Sequence, residues 1–283
     1  MERGYARRPG GGQEDGARPR GGGGRVRPMF VMGPCSLESR DVVMRVAEHL
    51  HGYFERLGDR AEWIFKGSFL KDNRTAEGSY EGPGMEEGLA ILEAVSSTFG
   101  VRMTTDVHGV SQVRAVADVV DVIQVPAFLC RQSSLLREVG AAGRTVNVKK
   151  GQFMSPTNMR GAVDKLTGSG CEEVWLTERG SFFGYGDLVV DLRSLSIMSG
   201  LCDRVILDVT HSLQRPGALG DSSGGRREFA PSLARAGAAW GVGGLFIETH
   251  PHPEKALSDA TTMVDLPTAT DIVSQALEHW EGD

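Results

Sequence analysis

Eight short apolar runs recur along the chain from Met29 onward, and longer amphipathic segments separate them. The runs are rich in Val and Ile and are bounded by Gly, Pro or charged residues, which is typical of strands. We predict strands at residues 29–35, 62–69, 102–107, 122–127, 145–151, 174–180, 205–211 and 244–250. Eight strands that alternate with helices over about 250 residues predict an α/β fold, the (β/α)8 or TIM barrel.

The main alternative to the barrel is an open, doubly wound sheet. That fold places a Gly-rich phosphate-binding turn after its first strand. The segment at that position here, "GPCSLES" at 33–39, matches such a turn poorly. The barrel is therefore the favoured fold.

Two of the intervening segments show helical periodicity. Ser39 is the predicted N-cap of the first helix. Apolar residues then repeat at spacings of three and four, at Val43, Val46, Leu50, Phe54 and Leu57. The second helix shows the same pattern at Met85, Leu89, Leu92 and Val95. We expect both helices to bury these faces.

The first 28 residues differ from the rest in composition, with seven Arg, nine Gly and three acidic residues. Such a segment buries too little apolar surface to offset its ordering entropy. It lacks the apolar core of a secretory signal, and its acidic residues fit a transit peptide poorly. We therefore predict a disordered tail at 1–28 and a barrel domain at 29–283.

Composition excludes several classes of partner. The net charge of −6 argues against a nucleic-acid-binding protein. The apolar runs all fall short of the roughly 20 residues that cross a bilayer, so we expect no membrane partner. The four cysteines, at 35, 130, 171 and 202, are scattered. This pattern fits a reducing compartment, so we expect a cytoplasmic location.

Residues able to do chemistry stand at or just after the ends of nearly all the predicted strands. In a (β/α)8 barrel the carboxyl ends of the strands form the active site. The residues in these positions are Cys35, Lys66, Lys71, Asp106, His108, Gln124, Lys149, Lys150, Glu178, Arg179, His211, Glu248 and His250. One shared site accounts for this bias.

A basic subset of these residues and of the loops beyond them indicates an anionic ligand. Its members are Lys66, Lys71, Arg74, Arg131, Lys149 and Arg179. Arg matches phosphate or carboxylate with a planar fork, and Lys supplies a point charge. Aromatic residues are not interleaved with these cations, which disfavours a nucleic acid. A small metabolite with several negative charges is the predicted ligand.

A second subset has the chemistry of metal ligands: Cys35, His211, Glu248 and Asp259. Thiolate, imidazole and carboxylate groups bind Zn²⁺ and Fe²⁺. The four residues lack the local spacing of a metal motif and would meet only through the barrel. The spacing by itself leaves two readings open, a metal site or separate structural roles for a buried thiol, a core histidine and two carboxylates.

Ten segments in order give the sequence a specific likeness to one family. They are "GPCSLES", "FKGSF-KDNRT", "SYEGPGMEEGL", "TTDVH", "IQVPAFLCRQ", "VNVKKGQF", "TERGSFFGYGDLVVDLRSL", "DVTHSLQRPG", "SGGRREF" and "ETHPHPEKALSDA". From about Phe30 to Asp265 the chain resembles the 3-deoxy-D-manno-octulosonate 8-phosphate (KDO8P) synthase family. The resemblance implies a (β/α)8 barrel that condenses phosphoenolpyruvate with D-arabinose 5-phosphate and releases phosphate. It also implies a homotetramer.

The resemblance assigns substrate-binding roles to individual residues. Lys149 and Arg179 resemble the pair that holds the phosphoenolpyruvate phosphate. The rest of that pocket would be lined by Lys71, Gln124 and the backbone of Ala127 and Phe128. The residues matching the arabinose 5-phosphate site are Asn73 and Arg74, with Lys66 and Ser68 between the substrates. Arg131 resembles a residue that reaches across a subunit boundary to a neighbour's sugar phosphate.

Three residues are expected to act in the chemistry. Lys71 is the candidate proton donor to the aldehyde oxygen, because an amine desolvated among cations can have a lowered pKa. Lys66 would stabilise developing charge. Asp106 would position the sugar or balance the cations.

The identity of residue 35 bears on the metal. The family has metal-requiring and metal-free members, and the metal-free class typically has Asn where this chain has Cys35. With His211, Glu248 and Asp259, Cys35 resembles the metal-requiring class. The expected cofactor is a divalent ion, and Fe²⁺, Zn²⁺ and Mn²⁺ all suit these ligands.

One segment departs from the family pattern. Where the family reads K-A-N-R-[ST]-S, this chain has Asp72 and Ala76 in "KDNRTA", which puts the sugar contacts beyond Arg74 in doubt. A sister enzyme that uses erythrose 4-phosphate, DAHP synthase, is the nearest alternative, but its segment is of the K-P-R-T-S type. A non-enzymatic phosphosugar-binding barrel is the more distant alternative, and the intact Lys71, Cys35 and His211 count against it.

Overall fold

A computed structural model describes residues 27–72, 80–182, 184, 186–216 and 224–281 of the chain. Within these residues, parallel strands close into one barrel: β1 (Met29–Gly33), β2 (Glu62–Lys66), β3 (Arg102–Asp106), β4 (Val122–Val125), β5 (Thr145–Lys149), β6 (Val174–Glu178), β7 (Arg204–Asp208) and β8 (Gly244–Glu248). Each strand pairs with its sequence neighbours, and β8 pairs with β1 from Met29↔Gly244 to Gly33↔Glu248. The predicted (β/α)8 barrel is confirmed, and the open sheet is excluded.

The barrel is surrounded by its helices. They are α1 (Arg40–Leu57), α2 (Met85–Phe99), α3 (Val113–Val119), α4 (Ser133–Gly140), α5 (Arg160–Thr167), α6 (Arg193–Ser199), α7 (Ala230–Ala239) and α8 (Leu266–Glu281). Among the described residues, none of these helices has both the length and the apolar character that spanning a bilayer requires.

The strands begin within one residue of the predicted positions but end one to three residues earlier. β1 ends at Gly33 and β7 at Asp208, so Cys35 and His211 lie on the loops that follow. The apolar pattern continues past the last ladder hydrogen bond, which is why it overestimates strand length. The edge of the barrel at which the strands end is called the carboxyl rim below.

Side chains along the strands separate into two apolar groups. The group inside the barrel consists of Met29, Val31, Ile64, Val122, Trp175, Ile206 and Phe246. Alternate residues of the same strands, such as Phe30 and Leu176, point outward and pack in the larger core between barrel and helices. Strand side chains alternate with a period of two, so the inward series can be followed residue by residue to the carboxyl rim.

Helix α1 confirms its prediction: the Ser39 hydroxyl caps it by accepting from the Val42 N–H at 3.3 Å. Its predicted apolar face is buried except for Leu57, which is half-buried. In α2, Leu92 and Val95 are buried as predicted. Leu89, however, is half-buried.

Met85 is the exception among the predicted core residues, since it is 36% exposed. The packing face of α2 instead includes Gly88, where an added Cβ would lie 2.3 Å from the Phe69 Cβ. That close approach brings the helix onto the barrel one turn after Met85. The prediction for Met85 was therefore wrong.

The predicted tail lies largely outside the described residues, which begin at Arg27. Arg27 and Pro28 contact the barrel: Arg27 pairs with Asp59 at 3.0 Å, and the Pro28 carbonyl accepts from the Glu62 N–H at 2.8 Å. The disorder expected for residues 1–26 remains a prediction.

Candidate active site at the carboxyl rim

Inward-facing side chains at the carboxyl rim are polar on, or directly after, every barrel strand except β1, which ends at Gly33. The residues at this level are Lys66, Asp106, Gln124, Lys149, Arg179, Asp208 and Glu248, and all are buried. Lys150 and Glu178 each lie one residue away from the inward-facing series, so their side chains point outward. They pair with each other at 3.4 Å. Lys149 and Arg179 therefore lie on the same rim, as predicted.

The four predicted metal ligands come together at this rim. Cys35, His211, Glu248 and Asp259 each offer one ligand atom, and these atoms all lie within 4.8 Å of one another. The His211 Nε2 atom is 3.4 Å from Glu248 Oε2 and 3.8 Å from Asp259 Oδ2. The residues come from the loops after β1 and β7, from the end of β8 and from the loop before α8. The barrel supplies the proximity that the sequence spacing does not.

The cluster has the features of a cation site. Glu248 Oε1 pairs with Lys66 at 2.6 Å, whereas Glu248 Oε2 is buried and has no hydrogen-bond partner among the described residues. A buried carboxylate oxygen without a partner is costly unless something else binds it. Asp259 has a φ of 49°, a strained backbone conformation of the kind found at functional sites. Thiol, imidazole and two carboxylates are a donor set that fits a divalent transition-metal ion.

The thiol of Cys35 is protonated in the protein without metal. Burial and the neighbouring carboxylates of Asp259 and Glu248 raise its pKa well above the ordinary value. The Sγ atom donates to Asp259 Oδ2 at 2.9 Å and to the Ser258 hydroxyl at 3.1 Å. A metal ligand at this position must lose that proton, since the thiolate is the form that binds.

Lys149 and Arg179 are two buried cations beside the cluster and form a candidate anion subsite, called the anion subsite below. The Lys149 Nζ atom lies 2.6 Å from Asp208 Oδ2 and 3.5 Å from the centroid of the Phe246 ring. Arg179 Nη2 donates to Gln214 Oε1 at 2.6 Å, while Arg179 Nη1 is buried without a hydrogen-bond partner in the described part of the chain. A buried guanidinium donor beside a buried ammonium group is suited to a phosphate.

The environment of Lys71 differs from the expected one. Burial alone would lower its pKa, but nearby anionic groups outweigh that effect and raise the pKa far above the ordinary value. They are the sulfur of Cys35, which counts only as a thiolate, and the carboxylates of Glu248, Asp106 and Asp259. The expected lowering was therefore wrong, because Lys71 lies among anions and not among cations. The same groups are candidate metal ligands or adjoin them, so the shift describes the metal-free protein.

Asp106 and His108 form a second polar pair on the rim, with Asp106 Oδ2 and His108 Nε2 3.3 Å apart. Burial alone would raise the pKa of Asp106. The hydrogen bond from His108 and the charges of Lys71 and Lys66 instead hold that pKa far below its ordinary value. Asp106 Oδ1, His108 Nδ1 and the Ser68 hydroxyl are buried and without hydrogen-bond partners among the described residues. Unsatisfied polar atoms of this kind suit a polar substrate.

The other predicted substrate residues lie on this rim or outside the described residues. Gln124 is buried and accepts from Asn147 at 3.4 Å. Ala127 and Phe128 form a 3-10 turn after β4, and Arg131 is exposed just beyond it. Asn73 and Arg74 are outside the described residues, so their roles remain predictions.

Sequence reasoning missed Asp208 and Gln214. Asp208 is fully buried and contacts both Lys149 and His211. Its inward position follows from Ile206 two residues earlier, so the strand period was a signal that could have identified it. Gln214 joins Arg179 to Asp259, to whose Oδ1 atom it donates at 2.8 Å. Gln214 lies beyond β7, where the period-two alternation of strand side chains no longer predicts which residues point into the barrel.

The fold and the rim define the class of this protein: a (β/α)8 barrel whose carboxyl rim carries buried lysine and arginine side chains next to a cluster of thiol, imidazole and carboxylate groups. Residues 18–280 match the family described as the DAHP synthetase I family. Three curated relatives carry the name 2-dehydro-3-deoxyphosphooctonate aldolase. The protein from Synechococcus sp. is 51% identical over 83% of this chain and 82% of its own length.

The second relative, from Acidithiobacillus ferrooxidans, is 49% identical over 90% of both chains. The third, from Xanthomonas euvesicatoria pv. vesicatoria, is 48% identical over 90% of this chain and 92% of its own. The chain belongs to the DAHP synthetase I family.

Proposed function

We propose that this protein condenses phosphoenolpyruvate with D-arabinose 5-phosphate and water to give 3-deoxy-D-manno-octulosonate 8-phosphate and inorganic phosphate. One structural observation supports this most directly: the buried Lys149–Arg179 pair, with an unpaired Arg179 Nη1, lies beside the cluster of Cys35, His211 and two carboxylates. The pair supplies the charge for one phosphorylated substrate, and the adjoining rim supplies polar groups for a second.

The length of the sugar is supported by the relatives. Their name specifies an octonate, an acid of eight carbons. Three carbons from phosphoenolpyruvate and five from the sugar give that product, whereas erythrose 4-phosphate would give seven. The erythrose 4-phosphate alternative is therefore disfavoured, and so is a barrel that only binds phosphosugars, since the relatives are named as aldolases.

The reaction begins with formation of a carbon–carbon bond. C3 of phosphoenolpyruvate attacks the aldehyde carbon of the open-chain sugar, and the carbonyl electron pair moves to the aldehyde oxygen, which takes up a proton. Lys71, held as an ammonium group by the surrounding anions, is the proposed donor to that oxygen. Buried Lys66 adds electrostatic stabilisation.

The reaction ends with loss of phosphate. Water adds at C2 of phosphoenolpyruvate and gives up a proton, which forms a hemiketal phosphate. The C2–O bond to phosphate then breaks, the C2 hydroxyl loses its proton to become the keto group, and the bonding pair leaves with phosphate. Lys149 and Arg179 hold the leaving phosphate, and Asp106 lies where it can orient the sugar.

The proposal includes a metal ion of the metal-requiring class. Cys35, His211, Glu248 and Asp259 would hold Fe²⁺, Zn²⁺ or Mn²⁺. When bound, the ion would supply Lewis-acid polarisation and help to orient the sugar. Two observations support this part of the proposal: no hydrogen bond from the described residues satisfies Glu248 Oε2, and the four ligand atoms approach one another.

We also propose a homotetramer in the cytoplasm. Three exposed aromatic side chains, Phe128, Phe153 and Phe182, follow the consecutive strands β4, β5 and β6. With exposed Arg131, they place apolar and basic side chains on loops at the carboxyl rim, which supports an interface with a second copy of the chain. The four cysteines are all free thiols, which is consistent with a reducing compartment.

A phosphate-release assay tests the function. The protein, with phosphoenolpyruvate, is given arabinose 5-phosphate or erythrose 4-phosphate, before and after treatment with a chelator. We expect release with the five-carbon sugar to exceed release with the four-carbon sugar and to be lost on chelation. A preference for erythrose 4-phosphate would overturn the substrate assignment, and the absence of release with either sugar would overturn the enzymatic one.

A further inference from the structure

Asp208, the last residue of β7, lies between the two subsites and is fully buried. Its Oδ2 atom is 2.6 Å from Lys149 Nζ and 2.8 Å from His211 Nδ1. One carboxylate oxygen thus contacts both a residue of the anion subsite and a residue of the metal-type cluster.

The other carboxylate oxygen fixes Asp208 itself. Asp208 Oδ1 accepts from the backbone N–H of Thr210 at 3.0 Å and of His211 at 2.8 Å, and from the Thr210 hydroxyl at 3.1 Å. These bonds hold the turn that presents His211. The carboxylate therefore cannot rotate without breaking the turn, and Oδ2 is held toward the two side chains.

We infer that Asp208 is a positioning residue shared by both subsites, which fixes the tautomer of His211 for the metal and holds the Lys149 side chain in place for phosphoenolpyruvate. The inference rests on the proposed function for the identity of the two ligands. The inference has two parts, which the geometry supports separately. The part that concerns His211 is called the imidazole half, and the part that concerns Lys149 is called the ammonium half.

The imidazole half follows from hydrogen-bond chemistry. An ionised carboxylate only accepts, so His211 Nδ1 carries a hydrogen toward Asp208. The Nε2 atom is then the nitrogen that faces Glu248 Oε2, at 3.4 Å, and Asp259 Oδ2. A partner on the remote nitrogen of this kind orients metal-binding histidines in general, and its loss typically weakens metal affinity about 10- to 100-fold.

The ammonium half follows from burial and contact geometry. Lys149 is buried, and its Nζ atom lies 3.5 Å from the centroid of the Phe246 ring. Asp208 Oδ2, at 2.6 Å, is the carboxylate oxygen in contact with that atom. Because Asp208 Oδ1 is held by the turn, the contact fixes where the Lys149 ammonium group lies.

The Asp208→Asn variant separates positioning from folding. The amide oxygen must stay toward the two backbone N–H groups, so the amide NH₂ group replaces Oδ2. It then faces Lys149 as a second donor and forces His211 Nδ1 to accept. The hydrogen of the imidazole moves to Nε2, where it blocks the metal.

The test measures two affinities by titration of the metal-stripped protein. Co²⁺ binding is followed by its thiolate absorption, and phosphoenolpyruvate binding is followed by calorimetry without metal or sugar. We expect D208N to weaken Co²⁺ binding about 10- to 100-fold and phosphoenolpyruvate binding on the order of 10-fold or more. An unchanged affinity for either ligand would overturn the shared role.

Asp121→Asn is the matched control. Asp121 is half-buried and accepts from the Met103 N–H at 2.7 Å, at the opposite end of the barrel. The same substitution there should leave both affinities unchanged, whatever it does to the melting temperature. A similar loss in both variants would show that general loosening of the barrel, and not Asp208, determines the affinities.

Thr210→Val provides a second variant should D208N fail to fold. It removes the hydroxyl that donates to Asp208 Oδ1 and accepts from the Glu248 N–H, and it keeps the Thr210 backbone N–H. Phosphoenolpyruvate binding should therefore weaken about 2- to 10-fold. No weakening would overturn the ammonium half. A wild-type protein that binds Co²⁺ but not phosphoenolpyruvate would instead refute the proposed function, so the two failures are distinguishable.

Discussion

Lys149 and Lys150 are neighbours in the chain, and both are buried beside a carboxylate, yet they belong to different regions of the molecule. Lys149 points into the barrel and pairs with Asp208 at 2.6 Å. Lys150 points outward and pairs with Glu178 at 3.4 Å. The alternation of side chains along β5 separates the two by a single residue.

The two pairs differ in how fully their partners are satisfied. Lys150 Nζ also donates to the Ser181 hydroxyl at 3.0 Å and to the Met154 carbonyl at 3.3 Å. Glu178 accepts from the Gly180 N–H at 2.7 Å and from the Ser194 hydroxyl at 2.6 Å. The Lys150–Glu178 pair, called the outer pair, thus has its hydrogen-bonding groups satisfied. It connects the loops after β5 and β6 to α6.

The Lys149–Asp208 pair, called the inner pair, lies among groups that still have unsatisfied hydrogen-bonding atoms. These groups and the pair are called the inner region. Arg179 Nη1 and Glu248 Oε2 are buried near it and have no hydrogen-bond partner in the described part of the chain. Burial and ion pairing are common to both regions, so neither property identifies a site. The two regions differ in the unsatisfied buried atoms beside the inner pair, which are what a ligand-binding region would have.

The largest effect should come from removing the metal. Treatment with a chelator should abolish turnover, and Zn²⁺, Mn²⁺ or Fe²⁺ should restore it, because the inner region would lose its cation. The assay is phosphate release with arabinose 5-phosphate. Full activity in the metal-stripped protein would refute the metal role.

The Cys35→Asn variant should reduce the dependence of activity on metal without destroying the protein.

Lys71→Ala should have the next largest effect. Lys71 lies among the anions of the inner region, so its loss removes a proton donor in the transition state. We expect kcat to fall on the order of 10²-fold, with a smaller change in KM. Steady-state kinetics with both substrates check this. A change confined to KM would make Lys71 a binding residue only.

Lys149→Met should weaken the use of phosphoenolpyruvate. Loss of a charge-assisted contact to phosphate is worth roughly 2–3 kcal/mol, so kcat/KM for phosphoenolpyruvate should fall about 30- to 150-fold. The matched control is Lys150→Met, in which the same change is made one residue later. Equal losses in the two variants would contradict the division into inner and outer pairs.

Lys150→Met should have the smallest effect on activity and a clear effect on stability. It leaves Glu178 buried without its cation, which should lower the free energy of unfolding by about 3–5 kcal/mol. Denaturant unfolding measures this loss, and Lys150→Met combined with Glu178→Gln should recover a large part of it. A fall in kcat/KM of the folded protein comparable to that of Lys149→Met would place Lys150 in the site.

Much of the fold could be predicted because local patterns specify it. The starts of the strands, the cap at Ser39 and the buried face of α1 follow from alternation, capping chemistry and helical period. Met85 was predicted wrongly because helical period does not show where a helix first meets the barrel, which here depends on Gly88 and Phe69.

Sequence reasoning located many of the residues that meet at the carboxyl rim, but it missed Asp208 and Gln214 and did not predict the electrostatics. Strand ends identified Cys35, Lys149, Arg179 and Glu248, since parallel strands end on one rim. The pKa of Lys71 was predicted in the wrong direction, because the sign of its shift depends on which neighbours the barrel brings near it.

The sequence by itself determined that eight strands alternate with helices and that their polar ends share a rim. These features depend on periods of two and of about 3.6 residues, which are local properties. Only the tertiary structure decided that Cys35 and Asp259, 224 residues apart, lie within 2.9 Å, and that Asp208 joins Lys149 to His211. Contacts of that kind depend on ring closure and on loop paths, and no local pattern encodes them.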